Sequence, residues 1–484
     1  MESEIKFGTD GWRGVIAKDF TFKNISIVSE ATAKQFKEDL KKNSTLSNLV
    51  FIGYDRRFLG KEFASRVGRI FSYHGFKVNI YNIDVPTPMV SFDVKKHSAV
   101  GGIVITASHN PPEFSGFKIK RPNGASAEKS YTEQIEKRLK AIEIPSDMSK
   151  QEDNNINIIE PSKDYINFIK KTIDLEKLKA LDKTIIVDSM HGTGARYIEQ
   201  FLSGGKLKIK TIRGEIDVNF GDINPEPMMP QLLPLSKEVI SNKAFMGLAT
   251  DGDADRVGAM DEKGEYINTH KLLAILLYYL IEKKELSGGV VITFSQSVLV
   301  KTMAKKYGLK LYEVPIGFKN IAELMLKNDI LIGGEEANGI GCKLHCIPDR
   351  DGIFNALLLL EAIDSFNMNP SELVDKLQKE FGTFFYDRID LHIPNISLGT
   401  SFVEKVKSAP PKEVNGFKVC DVQDLDGTKL IFEDESWLLF RASGTEPLLR
   451  IYSEGRSKDF VSNMLNSGEE LFKKASSDKV LSHK

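Results

Sequence analysis

Short runs of apolar and β-branched residues recur along the chain, and the segments between them are long enough for helices. Several runs are apolar at successive positions instead of alternating with polar residues, which is typical of strands buried on both faces of a largely parallel or mixed sheet. Helices are then expected on both sides of each sheet, so the pattern predicts an α/β protein. The predicted strands are residues 49–55, 76–83, 101–108, 184–190, 244–250, 290–297 and 330–336.

Two other apolar patterns predict helices. Residues 24–40 place Ile25, Val28 and Phe36 near helical spacing, which indicates an amphipathic helix. The longest apolar run, residues 272–281, has about half of the ~20 residues that a membrane-spanning helix needs. It therefore predicts a buried helix, and no membrane segment is expected.

The chain of 484 residues is too long for one hydrophobic core, and several domains are expected. A polar, Asn-rich segment at residues 145–155 indicates a first boundary, and a second follows a predicted hairpin that ends near Ile267. A third boundary lies within residues 381–391, before a smaller C-terminal part with a short hairpin near residues 424–429. The predicted domain limits are 1–163, 164–267, 268–385 and 386–484.

Composition narrows the possible partners. Apolar residues make up 41% of the chain, charged residues 27%, and the formal net charge is −1, so there is no electrostatic reason to expect nucleic acid or an anionic membrane. The sequence MESEIKFGTDGW shows no signal-peptide pattern, and three cysteines fit a reduced compartment, so a cytoplasmic location is expected. Cys342, His345 and Cys346 lack a fourth metal ligand, which weighs against a zinc site.

The sequence TASHNPP follows the predicted strand 101–108. In open α/β sheets ligands gather at the carboxyl ends of strands, where this strand delivers Ser108 and His109. Pro111 restricts the preceding residue to non-helical angles, so the loop is a rigid platform that could present Ser108 as a nucleophile. A Ser or Asx turn beside a surface histidine fits these residues equally well. A Ser-His-Asp hydrolase fits less well, because G-x-S-x-G is absent.

Asp251, Asp253 and Asp255 alternate after another apolar strand, in TDGDADR. Three carboxylates that converge in a short loop repel one another unless a hard cation lies between them, so Mg²⁺ or Ca²⁺ is expected. An EF-hand loop is disfavoured because Arg256 stands where that loop needs glycine. A solvated acidic turn is the remaining alternative.

Three further stretches carry candidate chemistry. In RASGTEPLLRIYSEG two arginines flank small residues, a combination that suits a phosphate dianion, although a plain turn between strands is also possible. In ILIGGEEANGIG paired glutamates follow a strand and could accept hydrogen bonds from sugar hydroxyls. In KFGTDGWRG, Arg13 among glycines could reach a phosphate, and a structural turn is about as probable.

The stretches FGTDGWRG, TASHNPPEFSGFKIK, TDGDADR, GEEANG and RASGTEPLLRIY occur in the order of the landmarks of one family. From Phe7 to Tyr452 the chain resembles the α-D-phosphohexomutase superfamily, the phosphoglucomutases and phosphomannomutases. TASHNP and DGDADR are specific signals, and GEEANG is the loosest match.

The resemblance implies four domains around a central cleft, the first three α/β with mixed sheets between helices and the fourth a smaller α+β domain. In chain order they would supply a phosphoserine loop, a metal loop, a sugar loop and a phosphate loop. The implied activity is interconversion of hexose 1-phosphate and hexose 6-phosphate through a phosphoserine and a hexose 1,6-bisphosphate, with Mg²⁺ as cofactor. A hexose phosphate is the implied partner, and a monomer and a homodimer both fit.

The resemblance also implies roles for individual residues. Catalysis would use Ser108, His109, Lys118 and Arg13; the metal would be bound by phosphorylated Ser108 with Asp251, Asp253 and Asp255; the sugar would contact Glu335, Arg256 and Lys319; and the phosphate would contact Arg441, Ser443, Gly444, Thr445 and Arg450. Lys118 is the candidate for acid/base help, for which burial or neighbouring cations would have to lower its ordinary pKa of about 10.4.

Glucose is the expected sugar, with mannose or both sugars as the alternative. The sugar loop departs from the family at Ala337, Asn338 and Gly339, where serine, glycine and in some members histidine are usual. Glu336 stands where amino-sugar mutases tend to have glutamine, which argues against glucosamine phosphate. Two other functions stay open: a phosphatase with Asp251 as nucleophile, and a non-enzymatic sugar-phosphate sensor.

Overall fold

The computed structural model describes residues 5–142, 155–444 and 446–481, with side chains up to residue 476. Four β-sheets follow one another along this part of the chain. We call the sheets with their helices the first, second, third and fourth units, in chain order. The predicted domain limits stay a prediction, and most of the predicted boundary segment 145–155 lies outside the described residues.

The first unit is built on a mixed sheet of six strands. The strands are β1 (Trp12–Val15), β2 (Ser47–Tyr54), β3 (Lys77–Tyr81), β4 (Ala99–Ile105), β5 (Phe114–Lys120) and β6 (Ile156–Ile159), in the spatial order β1-β5-β4-β2-β3-β6. The helices are α1 (Phe22–Lys42), α2 (Gly60–Tyr73), α3 (Thr87–Lys96) and α4 (Lys129–Leu139). Strand β4 pairs with β2 in parallel orientation and with β5 in antiparallel orientation. Strand β5 therefore begins near the carboxyl end of β4.

The second unit has five strands in the order β11-β10-β9-β7-β8. They are β7 (Thr184–Asp188), β8 (Lys208–Ile212), β9 (Met246–Thr250), β10 (Val257–Met260) and β11 (Tyr266–Ile267). Its helices are α5 (Lys163–Thr172), α6 (Leu175–Lys179), α7 (Tyr197–Leu202) and α8 (Leu233–Ser241), with short 3₁₀ helices at Thr193–Arg196 and Phe220–Asp222.

The third unit has four strands in the order β13-β12-β14-β15. They are β12 (Gly289–Thr293), β13 (Leu311–Val314), β14 (Ile330–Gly334) and β15 (Ile340–Cys342), and the helices are α9 (Thr269–Glu282), α10 (Val298–Lys306), α11 (Phe318–Lys327), α12 (Gly352–Ser365) and α13 (Pro370–Phe381). Helices α9 and α12 are predominantly apolar and almost wholly buried, and they belong to the largest hydrophobic cluster, which contains residues of all four units.

The fourth unit has an antiparallel sheet of six strands with helices packed against it. The elements are β16 (Phe385–His392), α14 (Ile396–Ser408), β17 (Glu413–Val414), β18 (Phe417–Gln423), β19 (Thr428–Phe432), β20 (Trp437–Ala442), β21 (Leu448–Gly455) and α15 (Lys458–Leu481), and the sheet order is β16-β21-β20-β19-β18-β17. The expected class, three α/β units followed by a smaller α+β unit, is confirmed.

Every strand predicted from the hydrophobic pattern is present in the structure, but several of them end earlier than predicted. The predicted strands 101–108, 290–297 and 330–336 end at Ile105, Thr293 and Gly334. The residues beyond these ends turn out of the sheet, as the left-handed φ of 54° at Ser108 shows. The buried helix predicted at 272–281 is confirmed within α9, and no helix in the described ranges is long and apolar enough to cross a membrane.

A buried lysine lies between the third and fourth units. Lys429 on β19 is 1% exposed, and its Nζ lies 3.4 Å from Glu313 Oε1 and 4.0 Å from the centre of the Phe294 ring. Burial, followed by the charge of nearby Lys301, lowers the pKa of Lys429 to about 7, although Glu313 offsets part of the effect. The charged form of this side chain therefore opposes folding at neutral pH.

Lys429→Met is expected to stabilise the protein in a pH-dependent way. Above about pH 7 the unfolded chain, with its lysine pKa near ~10.4, binds more protons than the folded chain, so the wild-type free energy of unfolding rises with pH. The advantage of the variant should shrink by roughly 2 kcal/mol between pH 7 and pH 9. Denaturant unfolding at both pH values measures this, with exposed Lys418→Met as control. A difference that does not change with pH would contradict it.

Candidate active site

Two of the predicted motifs are in direct contact. Ser108 Oγ donates a hydrogen bond to Asp251 Oδ2 at 2.7 Å, across 143 residues of sequence. Ser108 belongs to the loop after β4, and Asp251 to the loop after β9, so the carboxyl ends of strands in the first and second units meet here. The predicted platform does not present Ser108 at the surface, because the second unit covers the serine and leaves it fully buried.

The Ser108 loop is held by a residue that no predicted motif contained. Arg57 donates from its two terminal nitrogens to the backbone carbonyls of Ser108, Asn110, Pro111 and Phe114, at 2.6–2.9 Å. Its Nε pairs with Asp55 at 3.2 Å. One buried guanidinium therefore fixes the whole turn, and the prolines are only part of the reason for its rigidity.

The three predicted metal ligands do converge. Asp251, Asp253 and Asp255 each place a carboxylate oxygen within 4.8 Å of the others, and all three are buried. Among the described residues, no hydrogen-bond partner is found for Oδ1 of Asp253 or Oδ1 of Asp255, and the latter has only Arg256 Nε at 3.9 Å. Unpaired buried carboxylate oxygens are strongly unfavourable, and oxygen ligands of this kind are those that Mg²⁺ prefers, so the residues fit a divalent cation. Cys342, His345 and Cys346 form no such group in the described part of the chain.

The charges of these aspartates are unequal. Burial, followed by repulsion from Asp253 and Asp255, holds the pKa of Asp251 well above its usual value. Burial also raises the pKa of Asp253, but Lys118 outweighs this effect and the net pKa lies below the usual range. Asp253 is therefore ionised at neutral pH, whereas Asp251 would lose its proton when a cation binds beside it.

Lys118, on β5, lies at the centre of this charge cluster. Its Nζ lies 2.8 Å from Asp10, 2.8 Å from Asp253 and 3.1 Å from Asp255, measured to Oδ2 of each. Burial alone would lower its pKa, but the three carboxylates raise it above the ordinary lysine value. The requirement that its surroundings lower this pKa is not met, because the neighbours that decide it are anions. Lys118 is a cation and potential proton donor in this arrangement.

His109 and Arg13 complete the surroundings of Ser108. Burial, followed by the positive charges of Arg256 and Arg13, holds the pKa of His109 well below the ordinary value, so its ring is neutral. Arg13 donates to the side chain of Asn110 in the Ser108 loop. The residues predicted for the reacting centre therefore lie near one another, with an uncharged histidine beside cations, and their roles stay a prediction.

The third unit joins the site through a second unpredicted arginine. Arg350 donates to Glu335 Oε1 at 2.8 Å, to Asp255 Oδ2 at 2.7 Å and to Asp10 Oδ2 at 2.8 Å. These three carboxylates belong to the predicted sugar loop, the metal loop and FGTDGWRG. One buried guanidinium thus connects loops from three units.

The other predicted sugar contacts are more dispersed. Arg256 is buried and lies 3.5 Å from Glu226, whereas Lys319, near the start of α11, is partly exposed. Glu336 turns into the third unit, where Ser295 Oγ donates to its carboxylate at 2.6 Å. Asn338 has a left-handed φ of 66°, which asparagine tolerates, and this explains how it replaces a usual glycine.

The predicted phosphate loop connects β20 and β21. Arg441 and Arg450 face each other across these strands, and each pairs with an aspartate of the same unit: Arg441 Nε with Asp426 at 3.0 Å and Arg450 Nε with Asp390 at 3.5 Å. Glu446 N donates to Ser443 Oγ at 3.2 Å, and a side chain at Gly444 would meet open space. Thr445 lies outside the described residues. Two guanidinium groups beside an open backbone suit a phosphate dianion.

Family models identify the class of protein. Phosphoglucomutase/phosphomannomutase models match this chain as α/β/α domain I at residues 4–145, domain II at 163–264, domain III at 268–381 and the C-terminal domain at 403–466. The chain therefore belongs to the phosphoglucomutase/phosphomannomutase family of the α-D-phosphohexomutase superfamily, which confirms the resemblance seen in the motifs. Proteins of this family are isomerases that act by phosphoryl transfer.

Particular relatives extend over nearly the whole chain. A phosphoglucomutase/phosphomannomutase of Thermococcus kodakarensis is 31% identical over 97% of this chain and 98% of its own length. A phosphoglucosamine mutase of Acetivibrio thermocellus is 30% identical over 94% of this chain and 96% of its own. The crystal structure of a protein from Thermus thermophilus, provisionally named a phosphomannomutase, superposes with a TM-score of 0.84 at 32% identity, covering 98% of this chain and 100% of that one.

Proposed function

We propose that this phosphohexomutase interconverts hexose 1-phosphate and hexose 6-phosphate, preferentially of glucose, with Ser108 as the carrier of the phosphoryl group. The observation that carries the proposal is the contact of Ser108 Oγ with Asp251, inside a group of three buried aspartates. A phosphoryl group on Ser108 would have to share this space with a cation, because its negative charge could not otherwise approach three carboxylates.

The reaction proceeds in two transfers. Phosphorylated Ser108 gives its phosphoryl group to the free hydroxyl of a hexose monophosphate: the new bond joins phosphorus to the sugar oxygen, the bond to Ser108 Oγ breaks, and the proton of the sugar hydroxyl passes to Ser108 Oγ. The resulting hexose 1,6-bisphosphate turns over in the cleft and returns its other phosphoryl group to Ser108. Magnesium bound by Asp251, Asp253 and Asp255, together with a phosphate oxygen on Ser108, would neutralise charge on the transferring group.

The chain's own residues bind and orient the reactants in this scheme. Lys118 and Arg13 place positive charge at the reacting centre, and neutral His109 lies next to the phosphoryl group. Glu335, fixed by Arg350, would contact ring hydroxyls, and Arg256 and Lys319 would make the other sugar contacts. Arg441 and Arg450, with Ser443, Gly444 and Thr445, hold the phosphate that does not react.

Glucosamine phosphate is the second candidate substrate, because relatives of 30% identity carry the name phosphoglucosamine mutase. Against it, Glu336 replaces the glutamine typical of amino-sugar mutases, and its carboxylate is engaged by Ser295 and Thr293. A coupled assay of glucose, mannose and glucosamine 1-phosphates on one magnesium-loaded preparation decides between them. We expect the highest kcat/KM for glucose 1-phosphate, and a preference for glucosamine 1-phosphate would contradict the proposed sugar.

The same preparation tests the phosphoryl carrier. Intact mass should show a phosphoryl group on the enzyme, and hydroxylamine should leave it in place, because hydroxylamine cleaves an acyl phosphate on aspartate and not a serine ester. Release by hydroxylamine would favour the phosphatase alternative with Asp251 as nucleophile. Failure to interconvert any of the three sugars with a trace of bisphosphate present would favour a sensor.

A further inference from the structure

One carboxylate oxygen joins the phosphate loop to the third unit. Asp426, in the turn between β18 and β19, accepts with Oδ2 from Arg441 Nε at 3.0 Å and from the backbone N–H of Ile316 at 2.9 Å. Arg441 is a proposed phosphate ligand of the fourth unit, whereas Ile316 belongs to the third. Asp426 was part of no motif, and its side chain is 23% exposed.

Ile316 lies three residues before Lys319, which is a predicted sugar contact. Ile316 is followed by Gly317, whose φ of 123° turns the chain into α11, and Lys319 is the second residue of that helix. Asn320 Nδ2 donates back to the carbonyl of Pro315 at 2.9 Å, which ties the start of the helix to the turn. A group that fixes the backbone at Ile316 therefore also sets where Lys319 lies.

The geometry at Arg441 leaves its binding face open. Asp426 accepts from the Nε of the guanidinium, and among the described residues no hydrogen bond involves the two terminal nitrogens, which therefore form a parallel pair of donors for an anion. A guanidinium fixed at Nε also loses less conformational entropy when the anion binds than a freely rotating one.

We propose that Asp426 is a positioning residue: it aims the terminal nitrogens of Arg441 at the substrate phosphate and ties them to the loop that precedes Lys319. The inference rests on the proposed function, because it assigns the phosphate to Arg441. It makes phosphate binding and the contact between the third and fourth units parts of one event, since both use the same carboxylate oxygen.

Other contacts hold these units together without touching Arg441. Glu454 Oε2 accepts from the backbone N–H of Val298 at 2.8 Å, and Lys429 pairs with Glu313 at 3.4 Å. Loss of Asp426 therefore leaves the interface with its other polar contacts, and its effect should appear in ligand binding more than in stability.

The test separates the two hydrogen bonds of Asp426. In Asp426→Ala both are lost, whereas the amide oxygen of Asp426→Asn can still accept from Ile316 and loses the charge opposite Arg441. Asp426→Glu restores the charge. Asp424→Ala is the matched control, because Asp424 lies two residues away in the same turn and makes only an exposed ion pair with Lys407 among the described residues.

Glucose 1-phosphate is titrated calorimetrically into each variant built on Ser108→Ala, which should bind without turnover. Asp426→Ala is expected to bind roughly 10- to 100-fold more weakly, Asp426→Asn to fall between it and the parent, and Asp426→Glu to recover most of the affinity. With Ser108 present, KM should rise by a similar factor while the melting temperature stays close to that of the Asp424→Ala control.

Affinity within twofold of the parent, or tighter binding, would overturn the proposal, because Asp426 would then be a bystander or a competitor of the phosphate. A fall in melting temperature with unchanged affinity would reduce Asp426 to an interface residue and overturn it as well. Failure of the proposed function is read separately: it would appear as undiminished turnover by Ser108→Ala, whatever the titrations show.

Discussion

Ser108→Ala is expected to lower kcat for glucose 1-phosphate on the order of 10⁴-fold or more, as removal of a covalent nucleophile does. The hydroxyl lies 2.7 Å from Asp251, and no other side-chain hydroxyl is hydrogen-bonded to that aspartate among the described residues. A neighbouring group cannot easily replace it, because Arg57 fixes the loop that carries it. Binding of the sugar phosphate should persist, since the residues proposed to hold it are untouched.

The measurement combines the coupled assay with intact mass. The phosphoryl group should be absent from Ser108→Ala and present on the wild type. Ser115→Ala is the matched control: Ser115 is also buried in the first unit, its Oγ has no partner among the described residues, and it lies outside the site. Turnover by Ser108→Ala within tenfold of the wild type would rule out Ser108 as the carrier.

The placement of Ser108 and of the aspartates at the ends of strands could be predicted from the chain, because both follow apolar strands. Residues after such strands meet at the carboxyl edge of a sheet, and this rule places Ser108 and Asp251 on edges that can face each other. The rule cannot say that the two edges touch or that the serine is covered, since that depends on how separate units pack. Burial of Ser108 is therefore a property of the assembled units.

The pKa of Lys118 shows the same limit more sharply. No acidic residue close to Lys118 in sequence reaches its Nζ. The three carboxylates that reach it belong to Asp10, Asp253 and Asp255. Considered with its own sequence segment alone, Lys118 is a candidate base whose pKa would have to be lowered. The assembled site gives it the opposite surroundings, because each unit contributes an anion.

Arg57 and Arg350 were missed for different reasons. Arg57 follows strand β2 just as Ser108 follows β4, so the rule that singled out Ser108 applied equally to the arginines of YDRRFLG. Arg350 lies in IPDRDG, after no strand of its own, and has its partners in three loops. A local signal existed for the first arginine, and none for the second.

Arg57→Lys is expected to lower kcat roughly 100-fold with a much smaller change in KM, because it displaces the Ser108 loop without removing a group that contacts substrate. The arginine reaches four carbonyls and Asp55 with a planar fork of donors. A lysine has one nitrogen with three donors and cannot span that set, so at least two of these five acceptors lose their partner. The turn should relax by part of an ångström, which is enough to misalign Ser108 Oγ with the transferring phosphorus.

Steady-state kinetics and thermal unfolding together separate positioning from folding. Arg66→Lys serves as the control, since Arg66 is a partly buried arginine of the same unit whose hydrogen bond goes to Ser26 on α1, away from the loop. If Arg57 only supports the fold, the melting temperature falls while kcat per folded molecule is kept. If it positions the nucleophile, kcat falls at a temperature where Arg57→Lys is fully folded, and phosphorylation of Ser108 by glucose 1,6-bisphosphate slows by a similar factor. Wild-type kcat in folded Arg57→Lys would show that the prolines, together with the hydrogen bond from Ser108 N to Thr106 Oγ1 at 2.8 Å, hold the loop without the guanidinium.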